Sequence, residues 1–191
     1  MKVSEIFYSL QGEGRFTGHA AGFIRLSGCN LKCPFCDTDH LSGAREMTEE
    51  EIVVRASAFE GRHAVITGGE PALQLTASLV DRLHEAGFFV QAETNGTIPL
   101  PPGVDWITCS PKDAPVVYSR IDELKLLFHP DTVEADIARV AHIAAEVRSL
   151  QPCDTGDPEA NAAATAACGA YVKSHPEWRL SLQTHKLISI P

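Results

Sequence analysis

The chain has 191 residues, 44% of them hydrophobic, and a formal net charge of −9; that is enough apolar material for one sizeable core, with the balance of an ordinary soluble domain. The charge is spread without blocks of like sign, which argues against a sequence-independent grip on nucleic-acid phosphates or membrane surfaces and favours a small-molecule partner. No apolar run approaches the length of a membrane span and the opening MKVSEIFYSLQGEG lacks signal-peptide features, so one domain over 1–191, located in the cytoplasm with reduced cysteines, is expected.

Two early strands are expected at KVSEIFYSL (2–10) and AGFIRLSG (21–28), followed by a cysteine-rich loop. A capping-box pattern, Thr48 to Glu51, opens a helix in TEEEIVVRASAF, and the short apolar HAVIT (63–67) is the next strand. Leu75, Leu79, Val80 and Leu83 place a second helix in ALQLTASLVDRLHEAG (72–87), stopped at Gly87, before strand FFVQAET. Strands follow in VDWITCS (104–110) and ELKLLF (123–128). Val133, Ile137, Val140, Ala144 and Val147 then share one face of a helix across DTVEADIARVAHIAAEV (131–147), ahead of strand RSLQP. Asp157 and Pro158 start an alanine-rich helix, and WRLSLQTH (178–185) reads as a last strand.

Strands alternating with helices imply an α/β fold with a parallel sheet. A full eight-fold barrel typically needs about 250 residues, so a shortened, partly open TIM-like barrel is expected here. In such a fold the ligand sits at the carboxyl ends of the strands. GCNLKC, TGGEP, ETNG, CSPK, LQPCD and QTHK all fall there.

Cys29, Cys33 and Cys36 form a C-x3-C-x2-C set in GCNLKCPFCDTDH (28–40). Buried thiols, a structural zinc site completed by His40, and an iron-sulfur cluster with one iron lacking a protein ligand are the three readings. The polar, proline-containing loop offers little packing for buried thiols. With ITGGEP (66–71) after an apolar strand and SPK (110–112) at a later strand end, the set resembles the signature of the radical S-adenosylmethionine (SAM) enzymes. That resemblance implies a 4Fe-4S cluster, S-adenosylmethionine and a reductant protein such as a flavodoxin. No side chain is then required as a catalyst, since the cofactor supplies the radical.

IFYSLQGEG, FIRLSGCNLKCPFCDTDH, VITGGEP, ETNG, SPK, LQP and WRLSLQTHKLISIP together resemble the 7-carboxy-7-deazaguanine synthases of queuosine biosynthesis; the stretch 156–174 contributes nothing diagnostic. The resemblance implies radical ring contraction of 6-carboxy-5,6,7,8-tetrahydropterin, magnesium and a homodimer. It assigns Cys29, Cys33 and Cys36 to the cluster and Thr38 to magnesium. Cofactor contacts fall on Phe35, Cys36, Asp37, Gly69, Ser110, Pro111, Lys112 and Gln151, and substrate contacts on Leu10, Gln11, Gly12, Glu13, Arg25, Thr67, His185 and Pro191.

Some of these residues carry a physical reading of their own. Gln11 and Glu13 offer an amide and a carboxylate to a donor-acceptor edge, or else form a solvated turn. Arg25, in an apolar strand, needs an anion: a substrate carboxylate or a neighbouring Asp or Glu. A glycyl-radical activating enzyme and a zinc-stabilised binding module remain the alternatives. No role is expected for Cys109, Cys153, Cys168 or Lys125.

Overall fold

The structure, a computed structural model, describes residues 1–39 and 42–191. Its strands are β1 (Lys2–Leu10), β2 (Ala20–Leu26), β3 (Arg45–Glu46), β4 (His63–Gly68), β5 (Phe89–Thr94), β6 (Trp106–Cys109), β7 (Arg120–Phe128), β8 (Ala144–Pro152) and β9 (Arg179–Leu180). They form one sheet in the order β3-β1-β2-β4-β5-β6-β7-β8-β9. From β2 to β9 every pairing is parallel, and β3 and β9 remain unjoined edges, so the barrel is open. The exception is β1, antiparallel to both β2 and β3. The 11–19 link is too short to carry a parallel crossover, so the chain reverses.

Alternation along each strand separates two environments. Ile24, Leu26, Ala64, Ile66 and Val90 meet Ile52 and Ala56 of α1 (Glu49–Ser57) and Leu79, Val80 and Leu83 of α2 (Ala77–Glu85). Leu124, Leu126, Phe128 and Leu150 meet Val133 and Val140 of α3 (Val133–Val140) and Cys168 of α4 (Pro158–Ser174). Each fully buried Leu or Ile contributes about 1.5–3 kcal/mol, so these layers hold the fold. The other face carries Arg25, Thr67, Glu93, Lys125 and Gln151, which line a cavity. The turn after β1 fills its lower end, where Arg15 N donates to Glu123 Oε2 and Gly14 N to Ser181 Oγ.

Local signals set the helix starts. Thr48 and Glu51 make the expected reciprocal capping box. Asp157 accepts from Glu159 N and Ala160 N, with Pro158 in the first turn. Gly87 has φ +83 just past α2, the left-handed stop read from sequence. No helix among the described residues is long and apolar enough to cross a membrane.

Three expected elements differ. The helix over 72–87 divides into a 3-10 turn, Pro71–Leu73, and α2, because the Thr76 hydroxyl caps Leu79 N and starts a new helix. The helix over 131–147 stops at Val140: Ala144 to Val147 pair with β7 as the start of β8, so ladder pairing overrides a helical spacing that continues by coincidence. The final strand shrinks to Arg179–Leu180 and is followed by the short helix α5 (Thr184–Leu187). There Thr184 N bonds to Gly12 O instead of continuing the ladder, carrying the chain across the open side of the barrel.

Candidate active site

Of the residues singled out from sequence, all but Pro111 line one cavity of about 1060 Å³; Pro111 is buried behind the wall. Typical ligand pockets run to about 1,000 Å³, so this one has room for two molecules. It lies where the carboxyl ends of the parallel strands meet the cysteine loop.

That loop joins β2 to β3. Cys29, Cys33 and Cys36 are free thiols, partly or fully exposed, and Leu31 N lies 3.4 Å from Cys29 Sγ as a donor. Among the described residues no three His, Cys, Asp or Glu converge on a single metal ion, and His40 lies outside them. Three open thiols on one loop suit a polynuclear cluster, in which thiolates bind separate irons. Burial pushes the Cys33 thiol above its ordinary value, against the pull of Lys112. Lys112 Nζ sits 5.6 Å from the centre of the Phe35 ring, and burial lowers the lysine's pKa, with Lys125 adding to the effect.

The GGE turn braces this loop from below. A Cβ on Gly69 would stand 2.0 Å from Gly28 O, and one on Gly68 1.9 Å from Leu26 O, so only glycine allows the two backbones to touch. Glu70 N donates to Gly28 O. The Glu70 carboxylate is 1% exposed and accepts from Ala72 N, Thr94 Oγ1 and Asn95 N. Its acceptor oxygens are therefore consumed inside the protein; burial raises its pKa against those three donors. Asn95 in turn donates to Asn30 Oδ1, giving the ETNG turn a role in holding the cysteine loop.

Deeper in the cavity lies a charged belt. Lys125 Nζ is 2.6 Å from Glu13 Oε2 and 2.9 Å from Glu93 Oε2, with its side chain 7% exposed. Glu93 Oε1 also accepts from Gln11 and Gln91, and Glu13 Oε1 from Gln183. Burial alone would raise both carboxyls. In Glu13 the Lys125 and Gln183 contacts prevail and lower it, whereas in Glu93 burial and the like charges of Glu13 and Glu123 win and raise it. The two carboxylates thus stand on opposite sides of their ordinary value.

Around this belt, Arg25 Nε bonds to Glu5 Oε1 at 2.6 Å, so the neighbouring-carboxylate reading is realised. Glu5 and Arg25 are partners in the β1–β2 register, which explains the pair. Arg25 lines the cavity, with its guanidinium carbon 5.8 Å from the centre of the Phe7 ring, and among the described residues Glu5 is its one hydrogen-bonded side-chain partner. A Cβ on Gly12 would stand 2.1 Å from His185 Nδ1, so the missing side chain makes room for that ring. Pro191 O accepts from Ser9 Oγ at the cavity wall. Gln151 accepts from Ser181, and Thr38 donates weakly to Asp37 at 3.4 Å.

Glu93, Lys125, Gln183 and Lys186 were not singled out from sequence. For Lys125 a signal existed: a lysine among the leucines of ELKLLF, two positions from Glu123, implies a strand face turned away from the apolar layer.

Comparison with known proteins matches the Radical SAM superfamily over residues 23–121, the half of the chain that carries both the cysteine loop and the GGE turn. The class is thereby defined: a radical SAM protein, whose cofactors are a 4Fe-4S cluster and S-adenosylmethionine and whose chemistry draws on a small-molecule substrate and a reductant. The 7-carboxy-7-deazaguanine synthase of Bacteroides thetaiotaomicron is 50% identical over 190 residues, covering 99% of this chain and 98% of its own. That of Bordetella pertussis is 44% identical, with 99% and 98% covered. The crystal structure of QueE from Escherichia coli superposes with a TM-score of 0.82 at 31% identity, over 96% of this chain and 94% of that one. This chain belongs to the 7-carboxy-7-deazaguanine synthase family.

Proposed function

We propose that the chain, as one domain over 1–191, converts 6-carboxy-5,6,7,8-tetrahydropterin to 7-carboxy-7-deazaguanine with loss of ammonia, in the cytoplasm and in queuosine biosynthesis. The observation that carries this reading is one cavity with three free thiols on its exposed side and the Gln11, Glu13, Glu93 and Lys125 belt on its buried side. The cluster and S-adenosylmethionine supply, when bound, a radical that takes hydrogen from an unactivated carbon.

Every other task falls to the chain. Cys29, Cys33 and Cys36 hold the cluster, while Phe35, Asp37, Gly69, Ser110, Lys112 and Gln151 surround the cofactor, with Pro111 supporting them from behind. Glu13 and Glu93 accept from the amino and ring N–H groups of the pterin, and Gln11 supplies both a donor and an acceptor. The terminal nitrogens of Arg25 take the substrate carboxylate as a fork. Leu10, Gly12, Thr67, His185 and Pro191 complete the wall. Thr38 offers magnesium a hard oxygen beside that carboxylate. A homodimer, and a flavodoxin as electron donor, belong to the same reading.

Anaerobic incubation of reconstituted protein with the pterin, S-adenosylmethionine, magnesium and a reductant tests it, with mass-spectrometric product identification. The expected product is 7-carboxy-7-deazaguanine. A fully loaded protein that cleaves the cofactor without forming it overturns the assignment.

A further inference from the structure

The segment that crosses the open side of the barrel makes a set of contacts for which the binding roles above have no use. Gln183 Nε2 donates both to Glu13 Oε1, at 3.0 Å, and to Asp37 Oδ2, at 3.1 Å. Lys186 Nζ lies 2.6 Å from the same Asp37 oxygen and 2.7 Å from Asp154 Oδ2, just past β8. Between them, Thr184 N donates to Gly12 O, and His185 fills the space left open at Gly12. One short stretch therefore touches the substrate side of the cavity through Gly12 and Glu13, and the cysteine loop through Asp37.

Asp37 sits between Cys36 and Thr38, so whatever fixes its carboxylate fixes the end of the cysteine loop. Its strongest anchors lie outside the loop: Lys186 Nζ and Gln183 Nε2 both reach Asp37 Oδ2, closer than the 3.4 Å contact from Thr38 Oγ1 to Asp37 Oδ1. Among the described residues the hydrogen bonds within the loop are few, such as Cys36 N to Cys33 O at 3.2 Å, and Lys186 and Gln183 give it a second attachment opposite the Asn30–Asn95 contact.

We propose that Gln183 and Lys186 are positioning residues that couple the two halves of the site: a pterin seated against Glu13 and His185 sets the 183–186 turn, which through Asp37 sets the cysteine loop. Cofactor cleavage is thereby favoured when substrate is present. The inference rests on the functional reading above.

The test compares wild type, Lys186→Met and Lys186→Arg as reconstituted full-length protein. The first readout is the ratio of 5′-deoxyadenosine to 7-carboxy-7-deazaguanine formed. It is expected to rise on the order of tenfold in K186M, the range of a coupling free energy, and to return toward the wild-type value in K186R. The second, taken without reductant, is amide hydrogen exchange across 29–39 with and without the pterin. Substrate is expected to slow exchange in wild type and K186R and to leave it unchanged in K186M. A variant of merely lower stability would lose product and cofactor cleavage together, with the ratio intact. An unchanged ratio in K186M, or pterin protection equal to wild type, overturns the coupling. A wild type that turns over but shows no protection overturns it too, leaving the reaction assignment standing; a wild type that forms no product removes the reaction assignment itself.

Discussion

The cysteine loop and the polar lining of the barrel solve opposite problems. Over its described residues the loop is largely exposed, has no regular structure and is held from outside, through the two glycines of the GGE turn, Asn95 and Lys186. The lining is buried and holds itself, with Lys125 clamped by two carboxylates and Glu123 accepting from Ser149, Thr108 and a backbone amide. Cluster ligands must stay open for a bulky inorganic group, whereas groups that read a flat heterocycle need a rigid and desolvated setting. Damage to the first should therefore abolish chemistry and spare folding, and damage to the second should cost both.

The sharpest break is at the thiols. Replacing Cys29, Cys33 or Cys36 by alanine is expected to eliminate product by mass spectrometry, while the metal-free protein loses no more than about 0.5 kcal/mol in urea titration, as for other surface changes. Lys125→Met reverses the pattern. Two buried carboxylates then face each other unpaired, and urea denaturation should report a loss of about 3–5 kcal/mol; adding Glu93→Gln should recover part of it.

Two glycines refine the contrast. Gly69→Ala drives a Cβ into backbone at 2.0 Å, which cannot swing aside, so a loss of about 1–3 kcal/mol is expected. Gly12→Ala meets first the His185 side chain, which can move aside where backbone cannot: stability should hold while kcat/KM for the pterin falls by about 10²-fold, the cost of a displaced binding group.

The smallest effect is a pH dependence. Burial lowers the pKa of His63 below its ordinary 6.5, against the bond to Gln91. Below pH 6.5 the unfolded chain takes up a proton that the fold resists, so the stability linked to His63 is complete above 6.5 and is lost as pH falls toward the lowered value. Thermal melts of His63→Gln should decline less steeply with acid below pH 6.5 than those of wild type.

Much of this was legible in the sequence, for reasons tied to particular residues. The three thiols announce themselves by spacing, and the caps at Thr48 and Asp157 by residue type, because both are local. The end of α3 was not legible, since Ala144 and Val147 fit a helical face as well as the strand that β7 imposes on them. Nor were Glu93, Gln183 and Lys186, whose partners lie far away in sequence and meet only when the sheet curls and the chain crosses its open side. Nor was the bracing role of Glu70, whose partners Thr94 and Asn95 lie at the end of β5 and just past it.

The central claim is that the exposed loop carries a cluster. Iron and acid-labile sulfide, measured on anaerobically reconstituted wild type, should each come to about four per chain, and should fall to background in the variant lacking all three thiols. Protein that retains zinc alone, or iron content indifferent to Cys29, Cys33 and Cys36, would contradict it.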